Sequence, residues 1–292
     1  ITGTAQLVRF FRRRGIEPIT YLPHRVKEGY GLKNASIDAL KQKGVSLIIT
    51  VDTGIAAHAE CAYAQTLGID VIVTDHHHPV TVVSPDGPTN RPPAHAVIHP
   101  LVPSAFPNLH LCGSGVAFML VRALEPERSW KGIEEDFVLA TIGTVADLVP
   151  LTGENRVIVK HGLHGLTSTP NPGLKALLEV AGLAQGSRAN AGQVAFRVAP
   201  RINAAGRMDT ARDVVEMFLC SDVDRARKIA NHLHSLNQER QQNEQAMLER
   251  VLEECETEPV DDRRRGLVFA GAGWHKGVVG IVASRLVERF CR

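Results

Sequence analysis

The stretch Val71-Ile-Val-Thr-Asp-His-His-His-Pro79 constrains this chain more than any other. Four hydrophobic or β-branched residues in a row predict an interior strand, and its C-terminal end delivers a carboxylate and imidazoles to one point. A second copy lies upstream, Leu47-Ile-Ile-Thr-Val-Asp52, followed by Thr53-Gly54. Open α/β sheets build their sites at the carboxyl ends of parallel strands, so Asp52 and Asp75 are expected side by side with His76 and His77. Clustered carboxylates are costly unless a cation compensates them. Oxygen and imidazole donors together suit Mn²⁺, Mg²⁺ or Zn²⁺. Pro79 redirects the chain after His78, which is expected to face solvent.

Around these strands, helical and extended patterns alternate. Gln6 to Arg14 predicts a helix closed by Gly15, and Pro18 to Leu22 a strand. Asn34 to Lys43 predicts a helix closed by Gly44, Ser46 to Asp52 a strand, and Ala56 to Leu67 a helix closed by Gly68. This βαβα rhythm implies a parallel sheet with right-handed crossovers. Residues 79 to 110 carry most of the prolines and predict a long loop around a short strand, Ala96 to His99. Helices resume at Gly115 to Leu124 and Glu134 to Ala146. Residues 221 to about 257 hold the longest helical pattern, opened by a Ser221-Asp222 cap. Its middle, Asn237 to Gln245, has no apolar residue, which predicts a solvent-crossing bridge between domains. Pro259 and the charge run Asp261 to Arg265 follow, then a strand over Gly266 to Ala270 and a helix over Val278 to Phe290. The expected division is a first domain over 1–220, a connecting helix over 221–258, and the beginning of a smaller α/β domain over 266–292.

Composition narrows the class. The 292 residues are 44% hydrophobic, enough for a large core. A net charge of +2 demands neither nucleic acid nor membrane, and Arg12-Arg13-Arg14 and Arg263-Arg264-Arg265 read as solvated faces. Five cysteines (Cys61, Cys112, Cys220, Cys255 and Cys291) show no CxxC spacing. That argues against a thiolate zinc site and favours a reducing compartment, hence a cytoplasmic location. There is no signal peptide and no run of about 18 apolar residues, so no membrane-spanning helix is expected. The chain begins without Met and stops at Cys291-Arg292, so both ends are expected to be cut.

Four further motifs carry candidate chemistry. Asp147 ends the pattern Ala140-Thr-Ile-Gly-Thr-Val-Ala-Asp-Leu-Val-Pro150. An acidic residue is unfavourable at the negative end of a helix dipole, and a nearby metal would offset that. Gly113-Ser114-Gly115 opens a helix and could cradle a phosphate, although a turn is the plainer reading. Pro200-Arg-Ile-Asn-Ala-Ala-Gly-Arg-Met208 sets Arg201, Asn203 and Arg207 among small residues, as a phosphate contact or as a surface loop with ion pairs. Gly271-Ala-Gly-Trp-His-Lys-Gly-Val-Val-Gly280, ahead of Ser284 and Arg285, could bind an anion through His275 and Lys276. Trp274 is a core residue or, less commonly, a base-stacking one.

Together these segments resemble the DHH phosphoesterase superfamily, and within it the RecJ-like single-strand DNA exonucleases, over nearly the whole chain. The carriers are Val51-Asp-Thr-Gly54, Thr74-Asp-His-His77, Cys112-Gly-Ser-Gly-Val-Ala117, Gly143-Thr-Val-Ala-Asp-Leu-Val-Pro150, Pro200 to Arg207 and Gly273 to Leu286. The first two mark the superfamily; the last two are more RecJ-like. The resemblance implies a parallel-sheet metal-binding domain, a long connecting helix and a smaller substrate domain. It implies metal positions at Asp52, His76, His77 and Asp147, catalytic roles for His77 and Asp75, and two divalent ions, Mn²⁺ or Mg²⁺. Substrate contacts are implied at Gly113, Ser114, Arg201, Asn203, Arg207, His275, Ser284 and Arg285. The implied reaction is 5′-to-3′ release of mononucleotides from single-stranded DNA in repair and recombination, with a single-strand-binding protein and a recombination helicase as partners. The family's first Asp-x-Asp motif is absent, because Ile1-Thr-Gly-Thr-Ala5 resembles the residues just after it. The chain as it stands is therefore expected to be impaired. The alternatives are a DHH phosphoesterase for short oligonucleotides or cyclic dinucleotides, and a non-catalytic DNA-binding scaffold.

Overall fold

The computed structural model describes residues 1–23, 28–84, 87–102, 106–208, 211–257 and 266–291, the side chains of 130, 131, 207, 208 and 257 excepted. Helix α1 (Thr2–Arg13) and α2 (Asn34–Gln42) precede β1 (Leu47–Val51); α3 (His58–Thr66) then crosses to β2 (Asp70–Thr74). A hairpin of β3 (Val82–Ser84) and β4 (Gly87–Thr89) interrupts the loop that leads to β5 (Ala96–Ile98). Strands β1, β2 and β5 lie in that order in a parallel sheet, with Val51 opposite Thr74 and Thr74 opposite Ile98. That register ends all three strands at one edge, where Asp52, Asp75 and His99 follow.

Period-two alternation explains the layers. Ile48, Val71 and Val73 pack with Ile37 and Leu40 of α2 and Cys61 and Ala64 of α3 on one face. Ile49 and Val51 turn the other way, onto Leu7 and Phe10 of α1 and Ala117 and Val121 of α4 (Gly113–Leu124). The expected α/β architecture with a parallel sheet is therefore present.

From Glu134 to Leu219 the chain is helical. It contains α5 (Glu134–Ala146), α6 (Gly153–Leu166), α7 (Pro172–Val180), a short α8 (Ala191–Gln193), a π-helical turn (Val194–Val198), α9 (Ala199–Met208) and α10 (Arg212–Leu219). Their core gathers Leu139, Ile142, Leu174, Leu177, Met217 and Phe218. Helix α11 (Val223–Thr257) closes this core with Ala226, Ala230 and Leu233, and Asp222 Oδ1 caps it by accepting from the amides of Asp224 and Arg225. Beyond it, α12 (Val279–Phe290) builds a separate cluster in which Val278, Val282 and Leu286 meet Met247 and Val251 of α11. No helix among the described residues is long and apolar enough to cross a membrane.

Several expectations need correction. Residues 18–22 form no strand: Pro18 lacks a donor, Ile19 is exposed, and Tyr21 docks through its hydroxyl, near Ser36 and Glu28. Residues 266–270 form none either, since no described strand lies beside them and Val268 is 88% exposed. Residues 200–208 are helix rather than loop. The middle of α11 is not polar all round in its packing, for Asn237 and Glu244 are buried. In the first arginine run, Arg13 and Arg14 are not free in solvent. They join Arg9 and Arg128 around the buried Asp136 and Glu125, with Arg13 2.8 Å from Glu125 and Arg128 2.8 Å from Asp136. The second run lies outside the described residues.

Helices α5 and α6 touch through Gly162, where a Cβ would overlap the Thr141 hydroxyl and the Phe137 carbonyl. Neither can yield, because Thr141 is buried and its hydroxyl donates to the Ile158 carbonyl at 2.9 Å. Gly162→Ala should lower the free energy of unfolding by about 1–3 kcal/mol, measured by denaturant titration.

Candidate metal centre

Three loops meet at the C-terminal edge of the sheet. Asp52 follows β1 directly and sits in the left-handed backbone region (φ 63°), which turns its carboxylate back over the strand end. The Tyr30 hydroxyl donates to the Asp52 carbonyl at 2.6 Å and holds that turn. Asp147 caps the C-terminus of α5, and the next residue, Leu148, is again left-handed (φ 58°). Non-glycine residues in this region cost of order 1 kcal/mol or more, and here they fall beside the two carboxylates.

His76 stands between those carboxylates, with Nε2 3.1 Å from Asp52 and 3.5 Å from Asp147. This nitrogen is buried and makes no properly directed hydrogen bond to either. Burial disfavours the charged imidazole, but the close contact with the Asp52 carboxylate, and then the Asp147 and Asp52 charges, outweigh it and hold the His76 pKa above its ordinary value. Asp147 is pushed up, by burial first and also by Asp52. Two like charges, both half-exposed, thus flank an imidazole nitrogen that is close to each but makes no well-directed hydrogen bond. A divalent cation would relieve the repulsion and satisfy the nitrogen, so the donor set fits one.

His77 completes the group: one donor atom each from Asp52, His76 and His77 lies within 4.8 Å of the others. Its Nδ1 is 2.7 Å from Asp75 Oδ1. A carboxylate only accepts, so Nδ1 carries the proton and Nε2 is left as the donor atom, the usual carboxylate–histidine arrangement behind a metal. That hydrogen bond is the main reason the His77 pKa is raised. Asp75 itself is only 1% exposed. Burial alone would raise its pKa, but hydrogen bonds from His77, from the Ile55 amide (2.9 Å) and from the His76 amide (2.8 Å) bring it below the ordinary value.

Two contributors had not been singled out. His99 ends β5 as Asp52 and Asp75 end their strands, and that placement was the available signal. Its Nε2 donates to the His77 carbonyl at 2.8 Å while Nδ1 accepts from the Leu101 amide at 3.0 Å. Tyr30 lies in an aperiodic loop, and only the fold brings it to Asp52.

The structure treats the remaining candidates unevenly. His78 is exposed and outside the cluster. Ser114 is buried, its hydroxyl accepting from Thr2 and Gln6 at 2.9 Å each, and the Cys112 thiol accepts from the Gly115 amide. The Ser114 hydroxyl, a substrate contact implied by the resemblance, is thus already engaged by protein groups, and the plainer turn reading of this motif fits. Gly113 instead packs on Asp52, whose Cγ would lie 2.6 Å from any added Cβ. Arg201 and exposed Asn203 lie on α9, and the Arg207 side chain is outside the described residues. His275 Nδ1 accepts from the Gly277 amide at 3.1 Å, and Ser284 donates to the Gly280 carbonyl. Arg285 is 2.5 Å from the buried carboxylate of Glu244, which also pairs with Arg240 at 2.8 Å. Trp274 packs in the cluster around α12, against Gly271.

The profile of the DHH family, N-terminal domain, matches residues 1–146. The single-stranded-DNA-specific exonuclease RecJ of Bacillus subtilis is 42% identical over the whole chain, and that of Escherichia coli 40%. A crystal structure of exonuclease RecJ bound to manganese superposes with a TM-score of 0.86 at 37% identity, covering all of this chain and 70% of the other. The chain belongs to the DHH family, in its RecJ branch. A second RecJ structure, from Thermus thermophilus in complex with Mn²⁺, gives 0.82 at 36% identity, covering all of this chain and 40% of that one. The chain spans 35% of the length of the Bacillus relative and 52% of that of the Escherichia one.

Two outcomes follow from this geometry. Gly113→Ala should displace Asp52 and weaken Mn²⁺ binding by about tenfold or more in calorimetric titration, with thermal unfolding little changed. Because His76 and His77 hold their protons to higher pH than ordinary imidazoles, and a metal must displace them, Mn²⁺ affinity should begin to fall, as pH drops, at a higher pH than for ordinary imidazole ligands. With both histidines as ligands, the slope should approach about a hundredfold per pH unit.

Proposed function

We propose that the full-length protein is a divalent-metal-dependent exonuclease that releases mononucleotides from the 5′ end of single-stranded DNA in repair and recombination. The observation that carries this reading is the buried His76 Nε2 set between the Asp52 and Asp147 carboxylates without a well-directed hydrogen bond to either, in a chain whose solved relatives include exonuclease RecJ bound to manganese. Asp52, His76, His77 and Asp147 would hold Mn²⁺ or Mg²⁺. When bound, two such ions supply Lewis acidity, activating water and neutralising charge on the phosphodiester.

The chain's own residues do the rest. Asp75 keeps His77 in the Nδ1–H tautomer and, being buried, acts by positioning rather than by touching substrate. His99 fixes the turn that carries His77. The half-exposed Asp52, Asp147 and His77 leave the centre open on the side a phosphate would approach. Arg201, Asn203 and Arg207 on α9, with His275, Ser284 and Arg285 beyond α11, bind the strand's backbone and 5′ end in this reading.

The separate apolar clusters on either side of the middle of α11 support a first domain over 1–220, a connecting helix over 221–258 and the beginning of a second domain over 266–292. The described cysteines are all free, which supports a reducing, cytoplasmic compartment. A single-strand-binding protein and a recombination helicase as partners rest on family resemblance.

With 5′-labelled and 3′-labelled single strands and Mn²⁺, the full-length protein should release labelled mononucleotide first from the 5′ end. Asp52→Ala or His77→Ala should reduce turnover by at least about a hundredfold with DNA affinity little changed. Undiminished turnover in either variant would remove the site assignment.

A further inference from the structure

Arg201 differs from the arginines clustered near α1 in having no carboxylate partner among the described residues. Arg9, Arg13, Arg14 and Arg128 each meet a carboxylate, whereas part-buried Arg201, its Nε unpartnered like that of Arg9, meets none. Its guanidinium is held at two points. One Nη donates to the Arg197 carbonyl, at the end of the π-helical turn, and the other lies 3.1 Å from His234 Nδ1. Single π-turns inside helices recur at functional sites, because they set one residue out of register. The second contact crosses from α9 to α11, whose Leu233, next in sequence to His234, shares a core cluster with Ile202 and Ala205 of α9.

The chemistry of that contact leaves one arrangement. A guanidinium has five N–H donors and no acceptor, and it does not lose its proton in proteins. His234 Nδ1 must therefore be the acceptor, so this imidazole is neutral with its proton on Nε2. Burial, and Arg197 close by, both disfavour the Arg201 charge. A part-buried cation with a second arginine beside it, a buried unpartnered Nε and no described carboxylate to compensate it is arranged to receive an anion at its Nη edge rather than to stabilise the fold. Without this acceptor, the long Arg201 side chain keeps only its bond to the Arg197 carbonyl, and its second Nη is no longer fixed.

We infer that His234, on the connecting helix, is a positioning residue that holds Arg201 in its phosphate-receiving orientation through the Nδ1 acceptor. This rests on the proposed role of Arg201 as a DNA-backbone contact. It gives α11 a task beyond joining two domains, because it supplies one wall of the substrate-binding arginine.

The test uses steady-state degradation of a 5′-phosphorylated single strand by the full-length protein. His234→Ala should raise KM by about tenfold, the usual effect of losing one charged hydrogen bond, with kcat changed less than about twofold. His234→Asn, whose Oδ1 can take the place of Nδ1, should restore KM to within about threefold of wild type. In the Arg201→Ala background, His234→Ala should add nothing. Wild-type KM in His234→Ala, failure of Asn to rescue, or an undiminished effect of His234→Ala on top of Arg201→Ala would overturn the inference. An unchanged KM in Arg201→Ala would instead remove the reading of Arg201 itself, so the two failures are distinguishable.

Discussion

The site depends on one buried carboxylate. Asp75 has almost no contact with solvent, and its two oxygens accept from the Ile55, His76 and His77 amides and from the His77 ring. Hydrogen bonds to a charged group are worth roughly 1.5–3 kcal/mol each, and here they offset a desolvation penalty that would otherwise neutralise the acid. The same bonds tie the loop after β1 to the loop after β2. They fix the ring that faces the cluster and the backbone of the ring beside it. Asp75 therefore sets the geometry in which Asp52, His76 and His77 converge, without being exposed enough to react.

Around that centre the chain trades side-chain volume for proximity. Gly113 opens α4 directly against Asp52, and Gly143 lets α5 approach Ser114 and Thr2 closely enough to bring Asp147 within 3.5 Å of His76. Left-handed backbone at Asp52 and Leu148 aims both carboxylates. Burial first, and the neighbouring Asp52 charge after it, raise the cost of ionising Asp147, a cost a cation would offset. The constellation is thus destabilised in isolation and suited to occupancy by metal.

Much of this was legible in the chain. Two hydrophobic runs ending in aspartate gave the adjacent strands, and the strand-end rule placed Asp52, Asp75, His76 and His77 correctly beside one another. Asp147 was legible as an acid at the wrong end of a helix. The same rule could have found His99, but a three-residue strand within a proline-rich loop gave too weak a pattern. Tyr30 had no local signature, since its contact spans an aperiodic loop. The predicted strands over 18–22 and 266–270 failed for a shared reason: strand propensity needs a neighbour with free donors and acceptors, and no described strand lies beside either segment. Gly113-Ser114-Gly115 was ambiguous, with a turn the plainer reading, because a glycine-rich helix start looks the same whether it admits a phosphate or a neighbouring carboxylate. The pairing of Arg201 with His234 lay beyond reach, because it depends on how α9 packs on α11.

The most direct measurement is diffraction from crystals of the full-length protein grown with Mn²⁺, using data collected at the manganese absorption edge. The account predicts an anomalous peak within coordination distance of His76 Nε2, Asp52 and Asp147, with His77 Nδ1 still on Asp75. Manganese bound away from His76, or a His76 ring turned to pair with a protein group while the carboxylates face solvent, would contradict it.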